Sequence, residues 1–142
     1  MMKPLLLALF LATPLLLPAA PVDNTVAILD AGVAAATALA ADDLPAAQAA
    51  GLALKDTATS AGQPSLATTA THLAESTSLK TAREAFQALS PTLITLATDH
   101  DGYYLFTCPM VHAGWVQKTK PIRNPYMGAS MLTCGVMQTT PH

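Results

Sequence analysis

Leu79-Lys80-Thr81-Ala82-Arg83-Glu84-Ala85-Phe86-Gln87-Ala88-Leu89-Ser90-Pro91-Thr92-Leu93-Ile94-Thr95-Leu96 is the stretch on which the reading of the fold turns. Leu79, Ala82, Phe86, Leu89, Leu93 and Leu96 recur at alternating steps of three and four, which lays one apolar stripe along a helix. Ser76-Thr77-Ser78 supplies hydroxyl caps ahead of it. Pro91 lies inside the pattern, and it predicts either a kink or a restart with Ser90 as a new cap.

The same period extends upstream. Val26, Leu29, Val33, Ala36 and Ala40 form one stripe, with Asp23 or Asn24 placed to cap its start. Asp42-Asp43 marks a break, and Pro45 suits the first turn of a second helix carrying Leu44, Ala47, Gly51, Leu54 and Ala58. Ser60-Ala61-Gly62-Gln63-Pro64 reads as a loop, followed by a short third stripe of Leu66, Ala70 and Leu73. Short connections between amphipathic helices favour antiparallel neighbours. The expected fold is therefore all-α: an antiparallel four-helix bundle with a C-terminal Cys/Met-containing segment of short extended stretch and turns packed on it. Ala dominates the stripes and buries little area per residue, so a bundle this lean calls for that segment to cover it.

The 142 residues are enough for a single domain. Residues 1–20 read as a secretory signal: Lys3, then the apolar run Leu5 to Ala12, then Pro18-Ala19-Ala20. The run is short for a spanning helix and is interrupted by Pro14 and Pro18. The expected mature unit is 21–142, with a helical bundle over 23–100 and a second segment over 101–142. Without Lys3 its net charge is about −3, which offers no basic patch for nucleic acid or an anionic membrane. No second long apolar stretch follows, so no stable membrane insertion is expected after cleavage, and the location is periplasmic or otherwise exported.

Composition divides the mature chain. From Asp23 to His100 there is no Trp, Tyr, Met or Cys, whereas all three Tyr, the only Trp, both Cys and every Met outside the leader lie from Tyr103 onward. Tyr103-Tyr104-Leu105-Phe106-Thr107 is aromatic and β-prone. It leads into Cys108-Pro109-Met110-Val111-His112, where an extended backbone would put thiol, thioether and imidazole on one face. Met131, Cys134 and Met137 follow at steps of three. Between these clusters, Asn124-Pro125-Tyr126-Met127-Gly128 is a turn signal that would fold the second onto the first. The candidate metal ligands are Cys108, Met110, His112, Met131, Cys134 and Met137. Thiolates and thioethers are soft donors, which select Cu(I) or Ag(I) over hard cations. Two alternatives stand beside this: a Cys108–Cys134 disulfide, and methionines serving only as core filler around Phe106, Trp115 and Tyr126.

Five runs carry a resemblance: Arg83 to Ser90, Cys108-Pro109-Met110, Trp115-Val116-Gln117, Ile122 to Gly128, and Met131-Leu132-Thr133-Cys134-Gly135. In this order they resemble an uncharacterised family of exported bacterial domains. That family occurs alone or with the adaptor (membrane fusion) subunits of copper/silver-type efflux systems. The resemblance implies a periplasmic helical domain tied to heavy-metal handling, with an efflux adaptor or another envelope protein as partner. It matches at Cys108, Met110, Trp115, Asn124, Pro125, Tyr126, Gly128, Met131 and Cys134; His112 rests on spacing alone.

Enzyme signatures are missing from the sequence. Glu75 and Glu84 are the only glutamates, too few for a carboxylate-bridged di-iron bundle. His72-Leu73-Ala74-Glu75 lacks the second histidine of a zinc protease, and no G-x-S-x-G elbow or C-x-x-C redox motif occurs. Cys108 with His112 is a conceivable nucleophile pair, but each has a blander reading. His72 reads as a surface or edge residue of a helix, and His100 and His142 as solvated, with His100 in a turn-like Asp99-His100-Asp101-Gly102 that offers at most a weak metal site. The expectation is a non-enzymatic soft-metal binding or chaperone protein. The alternative is a non-metal interaction module of an envelope assembly held by a Cys108–Cys134 disulfide.

Overall fold

The computed structural model describes residues 23–138; the expected leader and the last four residues lie outside the described residues. Four helices come first: α1 (Asn24–Ala40), α2 (Leu44–Ser60), α3 (Pro64–Ala74) and α4 (Leu79–Ala97). Their starts follow local chemistry. Asp23 caps α1 by accepting from Thr25 and Val26 N–H, and Asp43 caps α2 by accepting from Ala46 N–H. Ser78 and Thr81 form a reciprocal capping box at α4. Pro45 and Pro64 sit in the first turns of α2 and α3, where a missing N–H leaves nothing unpaired.

Each helix packs on its sequence neighbours, and α4 closes the ring on α1. The approach is close because small residues line the seams. A Cβ on Gly51 would stand 2.7 Å from the Ala74 backbone nitrogen, and one on Gly32 would stand 2.7 Å from Leu93 Cδ1. On α4 the buried side chains are Ala82, Ala85, Phe86, Leu89, Ser90, Leu93 and Ala97, so the stripe is slightly broader than its leucines and leaves Leu79 and Leu96 partly exposed. The helix runs unbroken through Pro91. Ser90 does not restart it; its hydroxyl donates to Gly114 O instead.

The expectation of an all-α protein is overturned. Residues beyond the bundle form a three-stranded antiparallel sheet: β1 (Tyr104–Cys108), β2 (Ala113–Gln117) and β3 (Val136–Met137), in the order β2-β1-β3. The class is mixed α and β. The extended stretch expected before Cys108 is β1, and it finds partners on both sides: Phe106 pairs with Trp115 and with Met137. Strand β2 lies against α1 and α4. Gly114 allows this contact, since a Cβ there would come 2.6 Å from Ile94 Cδ1 and 3.0 Å from Phe106 O.

One core cluster joins the two parts. Phe106, Cys108, Trp115, Val116 and Tyr126 are buried together with the leucines and alanines of the helices. Trp115 stacks on Phe106 with centroids 5.3 Å apart and meets Tyr126 edge-on at 6.3 Å, and Tyr126 reaches Phe86 of α4 at 5.7 Å. Arg83 ties the same seam by polar contacts. Its guanidinium donates to Leu39 O, Pro125 O and the Asp42 carboxylate, and Asp42 also accepts from Ala129 N–H. Among the described residues, no helix is long and apolar enough to cross a membrane.

Candidate functional site: a dithiol at the sheet edge

Cys108 ends β1, and residues Pro109–His112 turn the chain into β2, with Cys108 paired to Ala113. The extended run expected through Cys108, Met110 and His112 is therefore a tight turn, and the three side chains do not share a strand face. Pro109 explains the change: its fixed φ suits the second position of a turn, and it has no N–H to offer the sheet. His112 closes the turn at a φ of 52°, a left-handed conformation unusual for a residue with a Cβ.

The turn gives the Cys108 sulfur its surroundings. The Asn124 side chain, the Val111 and Met110 N–H groups and the Cys134 thiol are the groups that act on its ionisation. Burial raises the Cys108 thiol, but these donors together outweigh it and leave the group below the ordinary thiol range. Cys134 moves the other way: burial raises it, and so do the charge and the hydrogen bond of Cys108 beside it. Both cysteines are free thiols.

Asn124 is the hub of the site. Fully buried, it donates through Nδ2 to Cys134 O at 2.5 Å, while Oδ1 accepts from Tyr126 N–H at 2.8 Å and Met127 N–H at 3.2 Å. Its own N–H donates to Leu132 O at 2.7 Å. One side chain thus holds the 124–128 turn, the 132–134 strand approach and the Cys108 sulfur in register. Tyr126 adds an anchor, donating to Gly114 O at 2.5 Å, and burial pushes its hydroxyl up to about 12. Gln117 fixes the far end of β2, accepting from Trp115 Nε1 and Arg123 N–H and donating to Thr119 O and Pro121 O.

Of the six expected ligands, two converge: Cys108, buried, and Cys134, partly exposed. Met110, Met131 and Met137 are exposed at 59%, 42% and 40%, close in sequence to one or other cysteine. His112 is exposed on the turn, and among the described residues no three of His, Cys, Asp and Glu gather as a metal group. His100 is occupied locally, with Nδ1 2.9 Å from Leu96 O and Nε2 4.0 Å from Asp23.

Sequence reasoning missed three contributors. Asn124 reads as a turn former, and its bond to a distant sulfur has no local signature. Arg83, beside Glu84, reads as a solvated or locally paired residue, whereas its partners lie about forty residues away on both sides. Ser90 reads as a cap. The one available signal was the position of Arg83 beside Ala82 and Phe86, where a charge flanking an apolar stripe needs a partner.

In class, this is a mixed α and β fold: four packed helices and a small antiparallel sheet that carries Cys108, with Cys134 on the stretch leading into β3. Residues 33–102 match the model of a family described as "Protein of unknown function (DUF3347)". The matched stretch runs from within α1 to the turn after α4 and ends before β1, so both cysteines lie beyond it. No curated protein and no solved structure matches the chain.

Proposed function

We propose that this chain is an exported protein that holds one soft monovalent ion, Cu(I) or Ag(I), between Cys108 and Cys134, and that it serves heavy-metal efflux or resistance. The observation that carries the reading is the pairing of Cys108 with Cys134, each of which acts on the other's ionisation. Two thiolates are a sufficient soft donor pair for a monovalent ion, and they need no carboxylate. Met110, Met131 and Met137 offer further thioether donors on the exposed side, and Phe106 and Trp115 close the inner side to water. Export rests on the leader-like residues 1–20, and the efflux connection rests on the resemblance of the Cys-Pro-Met to Cys-Gly series.

The same proximity of sulfurs favours one other reading: a disulfide that staples the sheet of a non-metal interaction module in an envelope assembly. The native mass of the purified protein separates the two. Our reading predicts a metal adduct of one ion on the reduced protein when Cu(I) is supplied. A protein isolated two protons light, which takes up no ion after reduction, would establish the alternative.

A further inference from the structure

Charge is divided unevenly along the chain. Every acidic residue lies between Asp23 and Asp101, and none follows. Of the basic residues beyond Lys3, Lys55, Lys80 and Arg83 belong to helices, whereas Lys118, Lys120 and Arg123 crowd the loop after β2. Most of these cations have a partner. Lys80 pairs with Glu84, Arg83 with Asp42 and Lys118 with Asp30, while Lys118 and Lys120 stand over the rings of Tyr103 and Tyr104 at 5.4 and 5.7 Å. Among the described residues, the Arg123 guanidinium has neither a carboxylate nor a hydrogen-bond partner.

The loop that carries Arg123 is held from inside. Gln117, 6% exposed, accepts from Arg123 N–H at 2.9 Å and donates to Thr119 O and Pro121 O, each at 2.9 Å. On the other side, Asn124 N–H donates to Leu132 O. The base of the Arg123 side chain is thus fixed before any ligand arrives, which lowers the ordering cost of binding. Between this loop and α1 lies a cavity of about 240 Å³, lined by Val33, Ala36 and Thr37 of α1 and by Lys118, Thr119 and Arg123 of the loop. Among the described residues no carboxylate lines it, and its two ionised groups are both cations. Thr37 commits its hydroxyl proton to Val33 O, so the α1 side chains offer an incoming anion no donor. Pockets for drug-sized ligands hold roughly 300–1,000 Å³, so this one admits only a small body.

We infer that this cavity binds a small carboxylate with a short apolar body, either a free acid or the last residue of a peptide. The carboxylate lies on the Arg123 guanidinium, whose planar fork matches two carboxylate oxygens. The body lies against Val33 and Ala36, where leaving water favours it. Lys118 adds positive field at the rim, although Asp30 already engages it. An inorganic oxyanion fits less well, because it gains nothing from the apolar wall and gives up hydration to reach it. Three cations on one loop are too few to track a nucleic acid backbone. The site is separate from the sulfurs and does not depend on the metal reading.

The test titrates the full chain, isotope-labelled and in buffer free of carboxylate and phosphate, with isovalerate and follows its amides by NMR. Saturable shifts are expected at Val33, Thr37, Thr119 and Arg123. Isovaleramide keeps the body without the charge, and formate keeps the charge without the body; each is expected to bind at least about tenfold more weakly. Arg123→Gln should weaken isovalerate about tenfold as well, and Lys55→Gln should leave it unchanged. Isovalerate that moves none of these residues overturns the inference, as does isovaleramide or inorganic phosphate binding as tightly as isovalerate. Undiminished binding by Arg123→Gln also overturns it, and the wild-type arms decide the matter even if that variant misfolds. The tripeptide Ala-Ala-Val separates the two sources. Saturation at the same residues that is lost on C-terminal amidation assigns the peptide end, and exclusion of the peptide while isovalerate binds assigns the free acid. A peptide that binds equally well when amidated overturns the part given to the carboxylate.

Discussion

At Cys108 a buried sulfur is held toward its charged form by the dipoles of two backbone N–H groups and one amide. The sign of its pH dependence follows. A thiol lowered by folding adds stability as pH rises from its folded value to the ordinary thiol value, and loses it as pH falls back through the folded value. Wild type should therefore gain stability relative to Cys108→Ser across that interval, measured by denaturant titration over alkaline pH; a constant difference would mean the donors do not act on the sulfur. His112 supplies a second prediction at this scale. Its left-handed backbone costs a side-chain-bearing residue about 1 kcal/mol, which glycine avoids. His112→Gly should raise the melting temperature and leave Cu(I) competition unchanged, whereas a weaker competition would return the imidazole to the ligand set.

Among the elements, the helices were legible because their period, caps and breaks are local. The sheet was not, for reasons that differ strand by strand. Strand β1 carries a β-prone aromatic run, yet β2 begins Ala113-Gly114, residues of low strand propensity, with Gly114 set close against Ile94. Strand β3 has two residues, below any periodic signal. The spacing of Cys108, Met110 and His112 suggested one face, but Pro109 makes a turn of it. Two element-level substitutions follow. Phe86→Ala removes a 1%-exposed ring that bridges α4 to Tyr126, and should cost about 3–5 kcal/mol in denaturant titration. A loss under about 1 kcal/mol would show that the α4 stripe does not carry the core. Arg83→Gln should cost about 1–3 kcal/mol, because Leu39 O, Pro125 O and Asp42 lose a shared donor. Proteolysis should then begin within residues 118–138 while the helices persist; uniform digestion would argue against a tie specific to that seam.

Over the whole molecule, the helices contribute a lean core of leucine and alanine that is completed by aromatics from the sheet, and the sheet in turn is braced by Ser90, Arg83 and Phe86 of α4. The division of composition at residue 102 thus marks a division of labour within one core. The candidate site was legible as chemistry, in that two cysteines and nearby methionines stood out by type. Which of them meet was not legible, because the meeting is made by Asn124 and by a ladder between segments some thirty residues apart. The family match covers the helical part and ends short of the sulfurs, so the site must be argued on its own chemistry.

The most direct measurement is competition for Cu(I) between the reduced protein and a chelating dye, run on wild type and on Cys108→Ser with Cys134→Ser together. Thiolate binding competes with protons, so wild-type affinity should fall as pH falls. We predict that wild type withdraws one equivalent of Cu(I) from the dye, and that the double variant withdraws none while keeping its helical far-ultraviolet spectrum. A reduced wild type that leaves the dye fully loaded, or a double variant that competes as well as wild type, would contradict the account.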